Sequence, residues 1–355
     1  MGTNCRRKLS GESERPFFSI CIPCFNAGVA LSACLRSISA QDTDDYEVII
    51  IDDGSKTPLH LEDYLDCGVA RLIIERTGNG GPYAARRRAF DIACGEVVLC
   101  VDADDGFANS HALSAIWKVF KDKDPDIVIF NATTNGVDLL LIFNGLIETN
   151  GYLTKDSIGH VFATDFCLNT MWSKAFKRAL CGTRPDDTVP PRLLMAEDRL
   201  QSLEVILEAK SFCLINEPLY DYRNYSGSTT RNSYLSDYFF QSCYVEEKVV
   251  SSLDDLGVSL ADWAQYYLRQ ISSALRGICC NSRYGKAERH DIFDRMNTEV
   301  AVLTALQYGD FSRLPRLDKI KLSLLCGRRY VLLDLFMLPR VMGSKIKHRL
   351  YHTHG

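Results

Sequence analysis

Glu96-Val97-Val98-Leu99-Cys100-Val101-Asp102-Ala103-Asp104-Asp105 decides how this chain is read. A near-continuous aliphatic run that ends abruptly in acids is the pattern of a buried parallel strand delivering carboxylates to one end of a sheet. Working outward, residues 18–24, 46–52, 70–75 and 126–131 are further β-rich runs, and residues 30–40, 82–94 and 110–121 between them have helix-like amphipathic spacing. Alternation of this kind predicts an α/β fold with a mostly parallel central sheet and flanking helices. In open sheets of that class functional groups gather where strands end and the next helix begins. Three polar clusters fall at such ends: Pro23-Cys24-Phe25-Asn26, Asp52-Asp53-Gly54-Ser55 and Asp102-Ala103-Asp104-Asp105.

Composition narrows the function classes. The chain has 355 residues, 46% of them hydrophobic, and a formal charge of −4, so it supports a large core and offers no basic face for nucleic acid. Charge is nevertheless uneven: residues 313–355 hold ten Lys and Arg against Asp318 and Asp334, a net +8. No apolar run approaches the roughly 20 residues of a membrane-spanning helix. Residues 1–16 read as a flexible polar leader. The fourteen cysteines lie mostly in apolar stretches and read as small buried side chains. The Cys21–Cys24 pair sits within a strand and lacks a second pair to complete a zinc site.

Extended backbone through Asp102-Ala103-Asp104 would project the two carboxylates to one side and Ala103 to the other. Paired acids suit a hard cation such as Mg²⁺ or Mn²⁺. The same residues, with Gly106, equally suit a turn. Asp52 and Asp53, at the end of a second strand of the same sheet, tilt the balance, because so many clustered carboxylates repel one another unless a cation or donor groups intervene.

Taken together these segments resemble glycosyltransferase family 2, whose members have the GT-A fold, a Rossmann-like sheet with flanking helices; the resemblance spans residues 18–231. It implies a nucleotide pocket opened by Pro23, Phe25 and Asn26, a uracil- and ribose-contacting turn at Asp52 and Asp53, and a neighbouring stretch from Asn79 to Arg86. The family commonly has Asn after that Arg, where this chain has Arg87 and then Arg88. The Asp102-Ala103-Asp104 segment resembles the family's metal motif, with Asp102 toward the ribose and Asp104 on a Mn or Mg divalent cation.

Further along, Met195-Ala196-Glu197-Asp198-Arg199 resembles the acidic pair at which the family places its base, making Asp198 the general base with Glu197 beside it. Acids in a first helical turn are also ordinary capping chemistry. Trp172 is expected to face the acceptor and Arg223 to reach the donor phosphates, although an aromatic near a helix also suits a core and an Arg also suits an ion pair. The implied reaction is inverting transfer from a UDP-sugar donor to a glycan or lipid-linked glycan acceptor, as in bacterial surface-polysaccharide synthesis. A sugar-1-phosphate nucleotidyltransferase and a non-catalytic nucleotide-sugar-binding scaffold protein are the competing readings. Gly78, Gly80 and Gly81 follow the third strand instead of the first, which argues against a dinucleotide-binding turn.

The expected organisation is therefore a flexible leader over 1–16, a catalytic domain over 17–231, a helical region over 232–312 and a basic amphipathic tail over 313–355. Within it a hairpin is expected near Asn144-Gly145, a helix over 197–209, a strand over 212–215, and helices over 235–253, 259–279 and 287–306. The tail, with Leu322, Leu324, Leu325, Leu332, Leu333, Leu335 and Phe336 among its cations, suits either an anionic membrane surface or packing on the catalytic domain. The first alternative makes the protein cytoplasmic and peripheral on the inner face of the plasma membrane.

Overall fold

A computed structural model describes residues 5–6, 15–134, 137–139, 146, 148–149, 151–182, 189–223 and 236–338. The chain divides into two compact units, Met1–Phe162 with Phe166–Ser228, and Ala163–Asp165 with Thr229–Gly355.

The first unit is built on one sheet. Its elements, in chain order, are β1 (Cys5–Arg6), β2 (Phe18–Cys24), α1 (Gly28–Ser39), β3 (Tyr46–Asp52), β4 (Leu72–Arg76), α2 (Gly81–Ile92), β5 (Val97–Cys100), β6 (Gly106–Phe107), α3 (Ala112–Lys123), β7 (Ile127–Thr134), β8 (Val137–Leu139), β9 (Glu148–Thr149), β10 (Tyr152–Leu153), α4 (Lys155–Thr164), β11 (Lys174–Lys177), α5 (Glu197–Glu208) and β12 (Phe212–Tyr222). The sheet order is β1-β4-β3-β2-β5-β11-β7-β12-β10-β9. Pairs β4-β3, β3-β2, β2-β5 and β7-β12 are parallel, as a helix-covered sheet requires. The chain winds outward from β2 to β4 and then returns to place β5 on the other side of β2. That reversal opens a crevice at the carboxyl ends of β2 and β5.

Period-two alternation sorts the side chains. Phe18, Ile20, Ile22, Val48, Ile50, Val97 and Leu99 join one core cluster with Leu31, Leu35 and Ile38 of α1 and Leu113, Ile116 and Phe120 of α3. On the opposite face Phe90 of α2 meets Phe176 edge-on, with ring centroids 5.9 Å apart. Gly95 is confined by contact: a Cβ there would lie 2.6 Å from the Ser19 amide nitrogen.

Some elements were not anticipated, and others run past their expected bounds. Residues 174–177 form β11, which runs antiparallel between β5 and β7. The strand expected over 212–215 extends to Tyr222, past irregularities at Pro218, and its far end pairs with β6. Residues 5–6, assigned to the leader, pair antiparallel with β4. Asn144 and Gly145 lie outside the described residues.

The second unit is helical: α6 (Ser236–Ser251), α7 (Leu253–Leu256), α8 (Leu260–Cys280), α9 (Lys286–Met296), α10 (Val300–Tyr308) and α11 (Arg316–Cys326), followed by a helix over residues 330–338. Trp263, Tyr267, Leu268, Ile271 and Leu275 of α8 are fully buried. Ser259 caps α8 by accepting from the Asp262 amide at 3.1 Å. The single helix expected over 287–306 is two, because Asn297 ends α9 and turns its side-chain amide to the Leu325 carbonyl at 2.9 Å and the Tyr330 hydroxyl at 3.1 Å. Leu322, Leu325, Leu333 and Met337 of the basic C-terminal segment are buried within this unit. Lys321, also buried, donates to the Ser272 carbonyl of α8 at 3.0 Å. Through residue 338, then, the segment packs on the helical unit.

Candidate active site

The crevice is shaped first by its loops. After β2, Phe25 is 47% exposed and Asn26 takes a left-handed backbone with φ 55°. The Asn26 amide donates to Ser55 Oγ at 2.9 Å, and its Oδ1 accepts from the Lys56 amide at 2.9 Å, so Asn26 ties the loop after β2 to the loop after β3. Pro23 lies inside β2, opposite Ile51.

Asp52 and Asp53 are both turned into the protein. Asp52 accepts from the Ser55 amide at 2.9 Å, the Leu59 amide at 3.3 Å and the Arg76 guanidinium. Burial alone would raise its carboxyl, but these donors from Ser55, Leu59 and Arg76 hold it below the usual range. Asp53 accepts from the Gly80 amide at 2.8 Å and the Gly81 amide at 2.7 Å, satisfying the free N–H groups that open α2. Burial raises its carboxyl. Gly81 has φ +87°, and a Cβ there would sit 3.0 Å from the Leu193 carbonyl oxygen. Both aspartates therefore hold the Asn79–Arg86 stretch and its neighbour loop in shape, while Asn79 itself is exposed.

Arg86 is the centre of the site. It projects from α2, is 3% exposed, and donates from Nη2 to Asp102 Oδ1 at 3.1 Å. Its Nη1 bonds to Asp198 Oδ1, lies 3.3 Å from Gln201 Oε1 and sits 3.8 Å from Glu197. One guanidinium thus joins the end of β5 to the first turn of α5. Neighbouring carboxylates disfavour one another's ionisation. Burial, reinforced by Asp198, pushes Glu197 up to about 8. Burial pushes Asp102 up to about 6 against the pull of Arg86. Of the three, Glu197 is the acid whose ionisation burial disfavours most, while Asp198 is the one bonded to Arg86 Nη1.

The acids after β5 are presented by a turn and not by strand alternation. β5 ends at Cys100, and the Asp105 amide donates to the Asp102 carbonyl at 3.0 Å. Ala103 is buried and Asp104 is half-buried. Burial raises the Asp104 carboxyl, and among the described residues no other residue's hydrogen bond or ion pair engages it. Asp105 is fully engaged: it accepts from the Tyr220 hydroxyl at 2.8 Å and the Arg223 amide at 2.8 Å. Tyr220 Oη in turn accepts from the Asp102 amide at 3.1 Å.

Arg223 bonds to Asp221 at 2.8 Å and to the Asp105 carbonyl at 3.3 Å, bracing this turn. Trp172 is corrected. It is buried and stacks on Tyr220 with ring centroids 4.7 Å apart and planes 11° apart, so it supports the acidic turn from beneath. Arg87 donates to the Cys181 carbonyl, which gives the residue after Arg86 a structural task in this chain. Cys21 and Cys24 are buried thiols, and burial pushes Cys24 up to about 11.

Two contributors escaped the sequence. Tyr220 links Asp102 and Asp105, and its signal was only a long β-pattern continuing past Pro218. Lys174 is fully buried in β11, donating to the Leu168 carbonyl at 2.7 Å, the Thr170 carbonyl and Ser202 Oγ at 3.3 Å. Burial lowers its amine to about 7, although Asp198 pulls the other way. A lone cation inside Trp172-Ser173-Lys174-Ala175-Phe176 was the available clue.

Comparison with known proteins adds the following. Residues 19–181 match the family model described as glycosyl transferase family 2. Over 339 residues the chain is 25% identical to an uncharacterized glycosyltransferase, EpsJ, of Bacillus subtilis, with 92% of this chain and 96% of that protein aligned. It is 31% identical over 210 residues to a poly(ribitol-phosphate) beta-glucosyltransferase of Bacillus spizizenii, covering 58% of this chain and 31% of that protein. Among solved structures, S. aureus TarS 1-349 in complex with UDP-GlcNAc superposes with a TM-score of 0.66 at 18% identity, over 92% of each chain. At that identity the likeness is one of fold, and it shows the GT-A architecture.

Proposed function

The chain carries a domain of glycosyltransferase family 2, and on that premise we propose that it transfers a sugar, with inversion, from a UDP-sugar to a hydroxyl of a glycan or lipid-linked glycan in bacterial surface-polysaccharide synthesis. The Arg86 bridge carries this reading, because it sets the acid of the donor side, Asp102, and the acid at the start of α5, Asp198, on one buried cation. The named relatives are glycosyltransferases, and a structure of the same fold holds UDP-GlcNAc, which supports a UDP-linked donor.

In this reading Asp198 is the general base. Arg86 occupies its Oδ1, and no described residue bonds to its Oδ2, which is left to take the acceptor proton. The acceptor oxygen bonds to the anomeric carbon as the bond to the diphosphate oxygen breaks, and the electron pair leaves with UDP. Burial disfavours the ionised form of Glu197, which limits its competition with Asp198 for Arg86. Phe25, Asn26 and Asn79 meet the nucleotide, while Asp52 and Asp53 act through the loops they hold.

Asp104 fits a divalent cation, Mn²⁺ or Mg²⁺, as a half-buried carboxylate with no competing partner among the described residues. No cluster of three His, Cys, Asp or Glu suited to a metal occurs among those residues, so water and diphosphate oxygens would complete the shell. When bound, the cation offsets charge developing on the leaving diphosphate. Among the described residues no helix is long and apolar enough to cross a membrane. Our reading has the enzyme work at the inner face of the plasma membrane, with the basic residues of 313–355 drawn to anionic lipid.

A screen of UDP- and GDP-sugars for Mn²⁺-dependent release of the diphosphate tests the reaction. One UDP-hexose or UDP-N-acetylhexosamine should be consumed, Asp104→Ala should abolish turnover, and Asp198→Asn should lower transfer by about 10²–10⁴-fold while donor still binds. Near-normal transfer by Asp198→Asn would remove it as the base. Pyrophosphate release from UTP and a sugar phosphate would replace the reading with nucleotidyl transfer.

A further inference from the structure

The helix over residues 330–338 turns Tyr330, Leu333 and Met337 inward, where all three are buried. Its one charged residue also points inward: Asp334 accepts from Arg289 Nε at 3.0 Å and lies 2.9 Å from His290 Nε2. Every exposed position of this helix is aliphatic, with Val331 50%, Leu332 49%, Leu335 55% and Leu338 48% exposed. A solvated helix puts polar residues on that side, and here there are none. The spacing of one, four and seven residues from Val331 makes the four a single stripe. A continuous exposed apolar surface of this kind marks an interaction site.

Cations border the stripe. Arg329 immediately precedes the helix and is exposed. Lys286 lines, with Arg289, Val331, Leu335 and Leu338, a groove of about 270 Å³. Lys286 is exposed and has no hydrogen bond or ion pair with any described residue. A second copy of this chain seated on the stripe would oppose like charges. An interface with an apolar interior and anionic headgroups matches both features at once.

We propose that this face of the helical unit docks on an anionic lipid bilayer, with Val331, Leu332, Leu335 and Leu338 entering the acyl boundary and Lys286 and Arg329 meeting headgroup phosphates. The proposal rests on the membrane location in our functional reading and adds to it a defined hydrophobic contact. It is independent of which sugar is moved.

The test is cosedimentation of the full chain, without nucleotide sugar, on phosphatidylcholine vesicles with and without about one quarter phosphatidylglycerol. The anionic vesicles should bind about tenfold more tightly, and more weakly as salt rises. Leu332→Glu with Leu335→Glu should lower binding by about tenfold or more, with donor hydrolysis unchanged and the fold retained in a melting curve, because about half of each side chain already stands in solvent. Lys286→Gln with Arg329→Gln should lower it about threefold to tenfold. Failure of the unaltered chain to bind anionic vesicles overturns the proposal, as does undiminished binding by the Leu332/Leu335 variant. A self-association lost in that variant, with no vesicle binding in the unaltered chain, would assign the stripe to a second copy. Vesicle binding by a chain with no sugar transfer would leave the surface standing and defeat the catalytic reading, whereas transfer without vesicle binding would do the reverse.

Discussion

Arg86 Nη2 donates to Asp102 Oδ1 at 3.1 Å while the other terminal nitrogen of the same guanidinium holds Asp198. The two acids come from different elements, the turn after β5 and the first turn of α5, and one planar cation spaces them. A lysine is a point charge on a flexible stem and cannot span both. Arg86→Lys should therefore lower kcat by about 10²-fold through misplacement of the reacting groups. Steady-state kinetics alongside a melting curve will check this, and unchanged kcat would detach Arg86 from the reaction.

Glu197 gives a pH signature. Its folded-state value of about 8 exceeds the ordinary 4.5, so the folded protein binds a proton that the unfolded chain releases. The resulting stabilisation is fully present below the ordinary value and is lost as pH rises through about 8. Glu197→Gln keeps the uncharged form throughout. Relative to the parent, the variant should gain about 3–4 kcal/mol between pH 5 and pH 8. Urea unfolding at the two pH values measures the difference, and a constant gap would mean that Glu197 is ionised in the native state.

Tyr220 has polar partners on both sides, the Asp102 amide and the Asp105 carboxylate, and stacks on the ring of Trp172. Tyr220→Phe leaves that amide without its acceptor and Asp105 with one donor fewer, which should cost about 1–3 kcal/mol. Trp172→Ala removes the packing beneath and should cost about 3–5 kcal/mol. Guanidinium unfolding measures both. If Trp172→Ala weakened only acceptor KM with stability intact, Trp172 would face the acceptor after all.

Lys174 is buried with its three donors spent on the Leu168 and Thr170 carbonyls and Ser202. Lys174→Met should leave those acceptors unpaired and destabilise the first unit by about 2–4 kcal/mol. A melting temperature equal to the parent's would show that water or other donors replace the ammonium.

Much of the fold was legible because parallel strands declare themselves. Residues 18–24 and 46–52 were read to the residue, since buried aliphatic runs bounded by polar turns leave little choice. β11 was not, because four residues carrying a lysine at each end look nothing like a buried strand until β5 and β7 flank them. The break between α9 and α10 depends on where Asn297 finds partners, Leu325 and Tyr330, which are remote in sequence.

For the site, the division is physical. The family resemblance carried by these motifs and their order singled out Asp102, Asp104, Arg86 and Asp198 as candidates and suggested a divalent cation and a nucleotide sugar. Which acid pairs with which cation is a matter of distance, and only the tertiary structure brings Arg86 between residues 102 and 198. The same holds for the opening stretch: residues 96–105 announced a strand ending in carboxylates, and the packing of Tyr220 and Trp172 beneath them decided that a turn would present them. Tertiary packing settled the rest, raising the Glu197 carboxyl by burial, turning Asp52 and Asp53 inward, and leaving Asp104 free of protein partners among the described residues.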